Sequence, residues 1–338
     1  MPLDESVGVV ENQTSGGRRD VEASVIVPCY NSKDTIQRCL RSLGAQRTSV
    51  PHELIVVDSS DDGTTELIAG EFSEVVLVRL DRRTSCGAAR NIGVRRARGR
   101  LVLFVDADCI VPADWIERMV LAYRDLEADA LCGAFVNGTP WSVTGTTGFF
   151  LEFFRFLGPR GPNRMVTHLL GGNSIFRRSL LLGESFSDGN AGDDFNLSWR
   201  LWRSGARLFF TPSIGVTHLN RLGLKNVVRH QFLLGQQAAW YRAQSAPRLM
   251  AALRRLPFLV ALMPPVVLVW IGARVVRQGP VRDACRYAAL WPLLLAGNYA
   301  WAFGFLRALL HHHAAAAATW PSVFDGQSEE PFSPEARR

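Results

Sequence analysis

The chain has 338 residues, 47% of them hydrophobic, and a formal net charge of +7. That is enough to bury a full α/β domain of roughly 220 residues and leave a surplus. The basicity is local: residues 221–286 hold 11 Lys or Arg and one acid, Asp283, and no nucleic-acid-binding motif accompanies them. Nucleic acid is therefore excluded as a partner, and anionic lipid heads are the natural counterpart. Six cysteines show no C-x-x-C spacing, which fits reduced thiols.

Taken in chain order, residues 1–22 are polar, acidic and contain Gly and Ser, and read as a flexible tail with no secretory signal. Ser24 to Pro28 reads as a buried strand. Ile36, Cys39, Leu40 and Leu43 then repeat at helical spacing behind an N-cap at Asp34. Glu53–Asp58, Val75–Arg79 and Leu101–Val105 are further strands with helix-compatible stretches between them. This alternation predicts a mostly parallel sheet covered on both faces, with ligands at the carboxyl ends of its strands. Pro28-Cys29-Tyr30-Asn31, Asp58 and Asp106-Ala107-Asp108 fall at those ends. Two carboxylates that close a buried strand need a compensating cation, and a hard divalent ion shared with a diphosphate meets that need. Taken alone, so short a D-x-D pattern also occurs as two solvated loop acids.

Further along, Phe149, Phe150, Phe153, Phe154 and Phe156 cluster within Thr146–Leu157. That pattern reads first as core or as a lid, and second as a membrane-facing helix. A strand is expected over Arg207–Thr211, ended by a turn at Pro212. Leu256–Ala273 holds no charged residue over 18 positions and Tyr287–Leu306 none over 20. As helices they would span about 27 and 30 Å, so both are candidate membrane segments. Pro264-Pro265 is expected to kink or split the first. The His311-His312-His313 triplet beside Ala314–Ala318 reads as low-complexity sequence, and the tail to residue 338 as disordered.

The motifs of the first half resemble those of family-2 glycosyltransferases with a GT-A fold, a Rossmann-like nucleotide-sugar-binding domain. Val27-Pro28-Cys29-Tyr30-Asn31 is similar to the family's P-x-Y-N, and Val57-Asp58-Ser59-Ser60-Asp61-Asp62-Gly63-Thr64 to its V-D-x-S-x-D-G-T. Ala89-Arg90-Asn91-Ile92-Gly93 is similar to its A-R-N-x-G. The resemblance runs in order over roughly residues 22–242 and continues through Gly171-Gly172-Asn173 and through Gly192-Asp193-Asp194-Phe195-Asn196-Leu197. Asp193 stands where the family's E-D pair has Glu, and Cys109 where many relatives carry a third acid.

The resemblance implies that Pro28, Tyr30 and Asn31 line the base and ribose pocket and that Asp58 accepts a hydrogen bond from the base. A carboxylate acceptor suits an imide such as that of uracil, which favours a UDP-sugar. It further implies Asp106 at the ribose, Arg90 at the diphosphate, and Gly172 and Asn173 under the sugar. Arg90 equally reads as a helix-surface arginine. Asp108, joined by His218, would hold Mn2+ or Mg2+, and Asp194, with Asp193 beside it, would be the catalytic base. The Asp193-Asp194 pair also suits simple N-terminal capping.

The expected organisation is a tail at 1–22, a GT-A catalytic domain at 23–244, a membrane-associated helical hairpin at 250–313 and a tail at 314–338. The expected function is a metal-dependent inverting transferase at the inner cell membrane. Its catalytic domain would face the cytoplasm and move a sugar from a nucleoside-diphosphate sugar to a lipid-linked or cell-surface glycan acceptor. A polyprenyl-phosphate sugar synthase and a catalytically silent membrane scaffold are the alternatives. A processive synthase is disfavoured, because Gln236-Gln237-Ala238-Ala239-Trp240 has Ala239 where the Q-x-x-R-W motif requires arginine.

Overall fold

The computed structural model describes residues 20–187, 192–279 and 281–311. Most of the expected N-terminal tail, the tail at 314–338 and two members of the histidine triplet, His312 and His313, lie outside the described residues. The chain divides into two compact units. One holds the described residues up to Val136 with Gly161–Ser187 and Asp194–Leu219; the other holds Asn137–Arg160, Gly192–Asp193 and the described residues from Asn220 onward.

The first unit opens with the predicted alternation: β1 (Ala23–Cys29), α1 (Ile36–Gly44), β2 (His52–Asp58), α2 (Thr64–Glu71), β3 (Val76–Arg79), α3 (Cys86–Arg96) and β4 (Leu101–Val105). These four strands lie in the order β3-β2-β1-β4, all parallel, with Ile26 level with Ile55 on one side and Phe104 on the other. β1 and β4 are buried along their whole length, as their unbroken apolar runs require. Gly93 of the A-R-N-x-G segment has a packing reason, since a Cβ there would come within 2.5 Å of Ile26 Cγ2. α1 begins behind Thr35 rather than the expected Asp34, and no side chain caps it.

After β4 the direction changes. β5 (Cys109–Ile110), α4 (Trp115–Asp125) and β6 (Ala130–Asn137) come next. The second unit's α5 (Val143–Phe153) then precedes β7 (Arg164–Met165), β8 (Asn173–Arg177), α6 (Arg178–Gly183), α7 (Asp193–Arg203) and β9 (Leu208–His218). β8 pairs antiparallel with β4 and β6, and β9 pairs antiparallel with β5 and β7. The sheet is thus parallel in one half and antiparallel in the other. β9 does not turn at Pro212, contrary to the expectation, but continues six residues further to His218. Proline lacks the ladder N–H, and Pro212 falls between the β7 pairing at Phe210 and the β5 pairing at Thr217.

The second unit is helical: α5 is joined by α8 (Leu224–Ser245), α9 (Pro247–Arg255), α10 (Phe258–Gln278), α11 (Val281–Ala289) and α12 (Trp291–His311). α10 carries Pro264 and Pro265 inside a single helix, so the expected split does not occur. Arg274 and Arg277 lie near the end of α10 and Arg282 and Arg286 on α11, so the stretch between the two apolar runs is largely helical. The phenylalanine cluster is internal, since Phe149, Phe150, Phe153 and Phe156 are all buried. Phe150 meets Tyr287 edge-on at 5.5 Å and Phe154 meets Trp270 at 5.1 Å. The core reading of this segment therefore holds, and the membrane-facing one does not.

α8 and α12 approach so closely that glycine is required at the contact. A Cβ added at Gly235 would fall on the Trp301 carbonyl oxygen, and one at Gly304 on the Phe232 carbonyl oxygen. The expected boundary at residue 244 lies within α8, and a chain cut there would lose the helix that α8 packs against. Gly235→Ala is expected to push the two helices apart and cost about 1–3 kcal/mol, the usual range for overpacking. Thermal unfolding of the full-length protein in detergent checks this, with Ser245→Ala, at the last residue of α8, as the control.

Candidate active site

Pro28–Asn31, Asp58 and Asp106–Asp108 lie at strand ends because parallel strands deliver their C-terminal residues to one edge. Pro28 is buried within β1, where its role is structural. Tyr30 follows it and is exposed, with the Arg83 guanidinium 4.6 Å above its ring. Arg83 was missed from sequence. Its one signal is the Arg82-Arg83 pair in the turn that follows β3. Asn31 adopts φ 48, in the left-handed region that Asn tolerates. Its backbone N–H donates to Ser60 Oγ at 2.7 Å and its Oδ1 accepts from the Asp61 N–H at 3.1 Å, joining two loops.

Asp58 departs from its expected part. It has no exposed surface, and its carboxylate accepts from the Ser60 N–H at 3.2 Å, from the Ser60 hydroxyl and from Thr65 Oγ1 at 2.5 Å. These bonds use both oxygens to hold the β2–α2 loop. The uracil argument, which ran through an available Asp58, loses its geometric support.

Arg90 is not a surface residue. It is 4% exposed, donates to Asp106 Oδ1 at 2.9 Å, and lies over the rings of Phe104 and Phe186. A charge so deeply placed needs its partner, and Asp106 supplies it while staying one-third exposed. The glycine pair makes room for both: a Cβ at Gly171 would lie 2.5 Å from Arg90 Cζ, and one at Gly172 would fall on Asp106 Oδ2. Asn173 is fully buried. Its Oδ1 accepts from Trp115 Nε1 at 2.9 Å, and its Nδ2 donates to the carbonyls of Ala134 and Ile214. With every polar atom engaged, Asn173 is a bracket tying β8, β6, β9 and α4 together, which corrects its assignment as a sugar ligand.

β5 and β9 pair Cys109 with His218, which brings His218 Nε2 to 3.4 Å from Asp108 Oδ1. The Leu219 N–H donates to the Asp108 carbonyl at 2.8 Å and fixes the approach. Cys109 Sγ lies with these two donors inside a 4.8 Å cluster, but it has no exposed surface. Burial, then the charges of Asp108 and Asp106, pushes its thiol pKa well up, so Cys109 stands there as a neutral group. A carboxylate oxygen and an imidazole nitrogen at this separation fit a shared divalent ion with bonds of about 2.1 Å to each.

Asp194 is half-buried in the first turn of α7. Its Oδ2 accepts from the Gly171 N–H at 3.1 Å and its Oδ1 from the Phe195 N–H at 2.8 Å. Asp193 is buried, at 4% exposure. The Gly171-Gly172 step therefore touches Asp194 on one side and the Arg90–Asp106 pair on the other. Asp106 and Asp194 meet the same glycine step, Asp108 meets His218, and Asp106 and Asp108 are two residues apart in the chain.

Residues 24–182 match the family described as "Glycosyl transferase family 2". The matched stretch, residues 24–182, is thus family 2 glycosyltransferase sequence. The succinoglycan biosynthesis protein ExoO of Rhizobium meliloti is 38% identical over 227 residues, covering 62% of this chain and 64% of ExoO. The glycosyltransferase AglE of Haloferax volcanii is 36% identical over 117 residues, 32% of this chain and 38% of AglE. The chain thus spans less than two thirds of the length of these relatives. The mannosyltransferase PcManGT of Pyrobaculum calidifontis, solved with GDP-Man and Mn2+, has the same fold, with a TM-score of 0.57 and 20% identity over 90% of this chain and 91% of that one. The glycosyltransferase domain is accordingly a mixed α/β, GT-A-like sheet followed by C-terminal helices, two of them long and apolar enough to cross a membrane.

Proposed function

We propose that this chain is a membrane-associated, metal-dependent inverting glycosyltransferase that moves a sugar from a nucleoside-diphosphate sugar to a lipid-linked or cell-surface glycan acceptor. The observation that carries the reading is the Gly171-Gly172 step. It holds the Asp194 carboxylate by a backbone N–H and leaves room for Asp106 against its other side. Asp194 takes the proton of the acceptor hydroxyl as that oxygen attacks the anomeric carbon from the face opposite the leaving diphosphate, so the configuration inverts. The Gly171 N–H keeps the carboxylate turned toward the loop. Arg90 fixes Asp106 at the donor, and Tyr30 with Arg83 above it forms a platform for the base. Asp108 and His218 would hold Mn2+ or Mg2+, which when bound neutralises the charge of the departing nucleoside diphosphate.

The membrane part of the proposal rests on α10 and α12, each 21 residues long. Leu262, Val266, Val269 and Val276 form an exposed apolar stripe along α10, at 61–70% exposure, which water would penalise and lipid would not. The helices would sit in the inner membrane with the catalytic unit on the cytoplasmic side, where nucleotide sugars are made.

A thermal-shift series tests the donor assignment: UDP-, GDP- and dTDP-sugars, each with and without Mn2+. One class of donor is expected to raise the melting temperature in the presence of the metal only, because a ligand that binds the folded state alone stabilises it by mass action. No shift with any donor would overturn the transferase reading. Release of the full-length chain from membranes by a carbonate wash would overturn the integral-membrane part.

A further inference from the structure

An exposed tryptophan stands where the helical unit begins. Thr139-Pro140-Trp141-Ser142 forms a tight turn, closed by the Ser142 N–H on the Thr139 carbonyl at 3.0 Å, with proline at the position whose φ it presets. The turn is braced: Asn137 Oδ1 accepts from the Thr139 N–H at 2.9 Å, and Asn220 Nδ2 donates to Asn137 Oδ1 and Thr139 Oγ1 at 2.8 Å each. On this rigid support Trp141 is 73% exposed. The starts of α5 and α8 lie together, since the Gly223 N–H donates to Thr144 Oγ1 at 3.0 Å and a Cβ at Gly145 would come within 3.2 Å of Leu222 Cδ2. Val143, Leu222, Leu224 and Val228 are 39–57% exposed, so the two helix starts share one apolar patch with Trp141. Such a patch marks a contact surface rather than ordinary solvated exterior.

Charge and position say what covers it. Residues 137–151 and 220–246 contain no Asp or Glu, while Arg221 and Lys225, which flank Leu222 and Leu224 in the chain, are exposed. Apolar groups, a tryptophan and bases without acids match an anionic headgroup layer. The apolar face also runs on into a helix assigned to the membrane: Phe232, one turn past Val228, meets Phe303 of α12 at 5.9 Å, and Phe303 is 65% exposed. Phe232 meets Gly304 and Gly235 meets Trp301, so α8 and α12 are antiparallel. The first turn of α8, about 12 Å from Phe232 along the helix, therefore lies toward the C-terminal end of α12. In the topology proposed above the chain crosses through α10 and returns through α12, which puts that end on the cytoplasmic side.

We propose that Trp141, Leu222, Leu224 and Val228, with Arg221 and Lys225, form a surface that docks in the anionic headgroup layer of the cytoplasmic leaflet. The proposal rests on the membrane association put forward above and adds to the crossing helices a contact in the plane of the membrane. Leu222 follows His218 by four residues, so this contact ties the proposed metal residue to the bilayer surface through a short segment of chain.

The test reconstitutes the full-length protein in vesicles of phosphatidylcholine with or without phosphatidylglycerol and measures the depth of a nitroxide label by its accessibility to oxygen and to a water-soluble nickel chelate. Labels are placed singly at Trp141→Cys, Leu224→Cys and Leu121→Cys, the last an exposed position on α4, in a chain whose exposed native thiol is removed by Cys285→Ser. Labels at 141 and 224 are expected about 5–10 Å into the boundary between headgroups and acyl chains, the depth of an interfacial amphipathic element, and the label at 121 in water. Lys225→Glu should move the 141 label toward water in the anionic vesicles and leave it in place in phosphatidylcholine alone. No movement in the anionic vesicles would overturn the charge part of the proposal. Labels at 141 and 224 in water, on a chain that resists a carbonate wash, would overturn the surface and leave the membrane reading standing. Labels shielded from both reagents and spin-coupled to each other would make a second copy the occupant, and overturn the lipid one. A chain that does not hold to vesicles at all would overturn the surface and the membrane reading together.

Discussion

Asp194→Asn is expected to lower turnover at least ~10²-fold with little change in donor affinity, because an amide cannot take up the acceptor's proton. The substitution is well chosen for this site. The asparagine Oδ1 can still accept from the Gly171 N–H, which Asp194 holds at 3.1 Å, so the loop keeps its position while the chemistry is lost. Steady-state kinetics with separate kcat and KM, beside a donor-binding titration, checks both halves of the statement. Asp193→Asn should reduce turnover less, since Asp193 is 4% exposed and Asp194 more open. If Asp193→Asn is the more damaging change, the base is misassigned.

Asp108→Ala is expected to abolish metal-dependent donor binding and leave the fold intact. The side chain is about a quarter exposed, and its Oδ1 lies 3.4 Å from His218 Nε2. Removing it takes away the carboxylate from the proposed metal pair and leaves an imidazole alone, which is a poor site for Mg2+ and a weak one for Mn2+. Isothermal titration of the nucleotide sugar with and without Mn2+ decides it. Wild-type affinity that depends on metal and a mutant affinity that does not are the expected pair of results. Unchanged metal dependence in Asp108→Ala would remove this residue from the site.

Much of the first unit was legible in the chain. β1 and β4 are buried on both faces, so they read as unbroken apolar runs, and their acids and turn residues mark where they end. Local order is enough for such signals. Asp106 and Asp108 followed from the same logic as acids closing a strand, whereas Asp194 and His218 came from the motif resemblance.

Which of the motif residues stay open to solvent was decided by tertiary structure. Asn173 and Asp58 lie in motifs as telling as any other, yet each is enclosed: Asn173 by Trp115 and two strand carbonyls, Asp58 by Ser60 and Thr65. A sequence records that a polar side chain is present, but its partners come from elements up to 58 residues away, and only folding brings them within reach. Arg90 shows the same in reverse. Its helical position suggested a solvated cation, and the fold enclosed it beside Asp106, with glycines at 171 and 172 leaving the space.

The division of the chain into two units follows from packing in the same way. Composition placed the hydrophobic helices after residue 250 because apolar runs are visible locally, whereas the membership of α5 and α8 in the helical unit depends on contacts between distant segments. Gly235 and Gly304 permit the α8–α12 approach, and a glycine in a helix carries no sign of the carbonyl it will meet. The sequence by itself therefore determined the strand and helix alternation of the parallel half, the chemical inventory at the strand ends and the apolar surplus. Long-range packing determined which of those groups are left open to act, because burial and hydrogen-bond satisfaction are properties of the assembled neighbours rather than of any one segment.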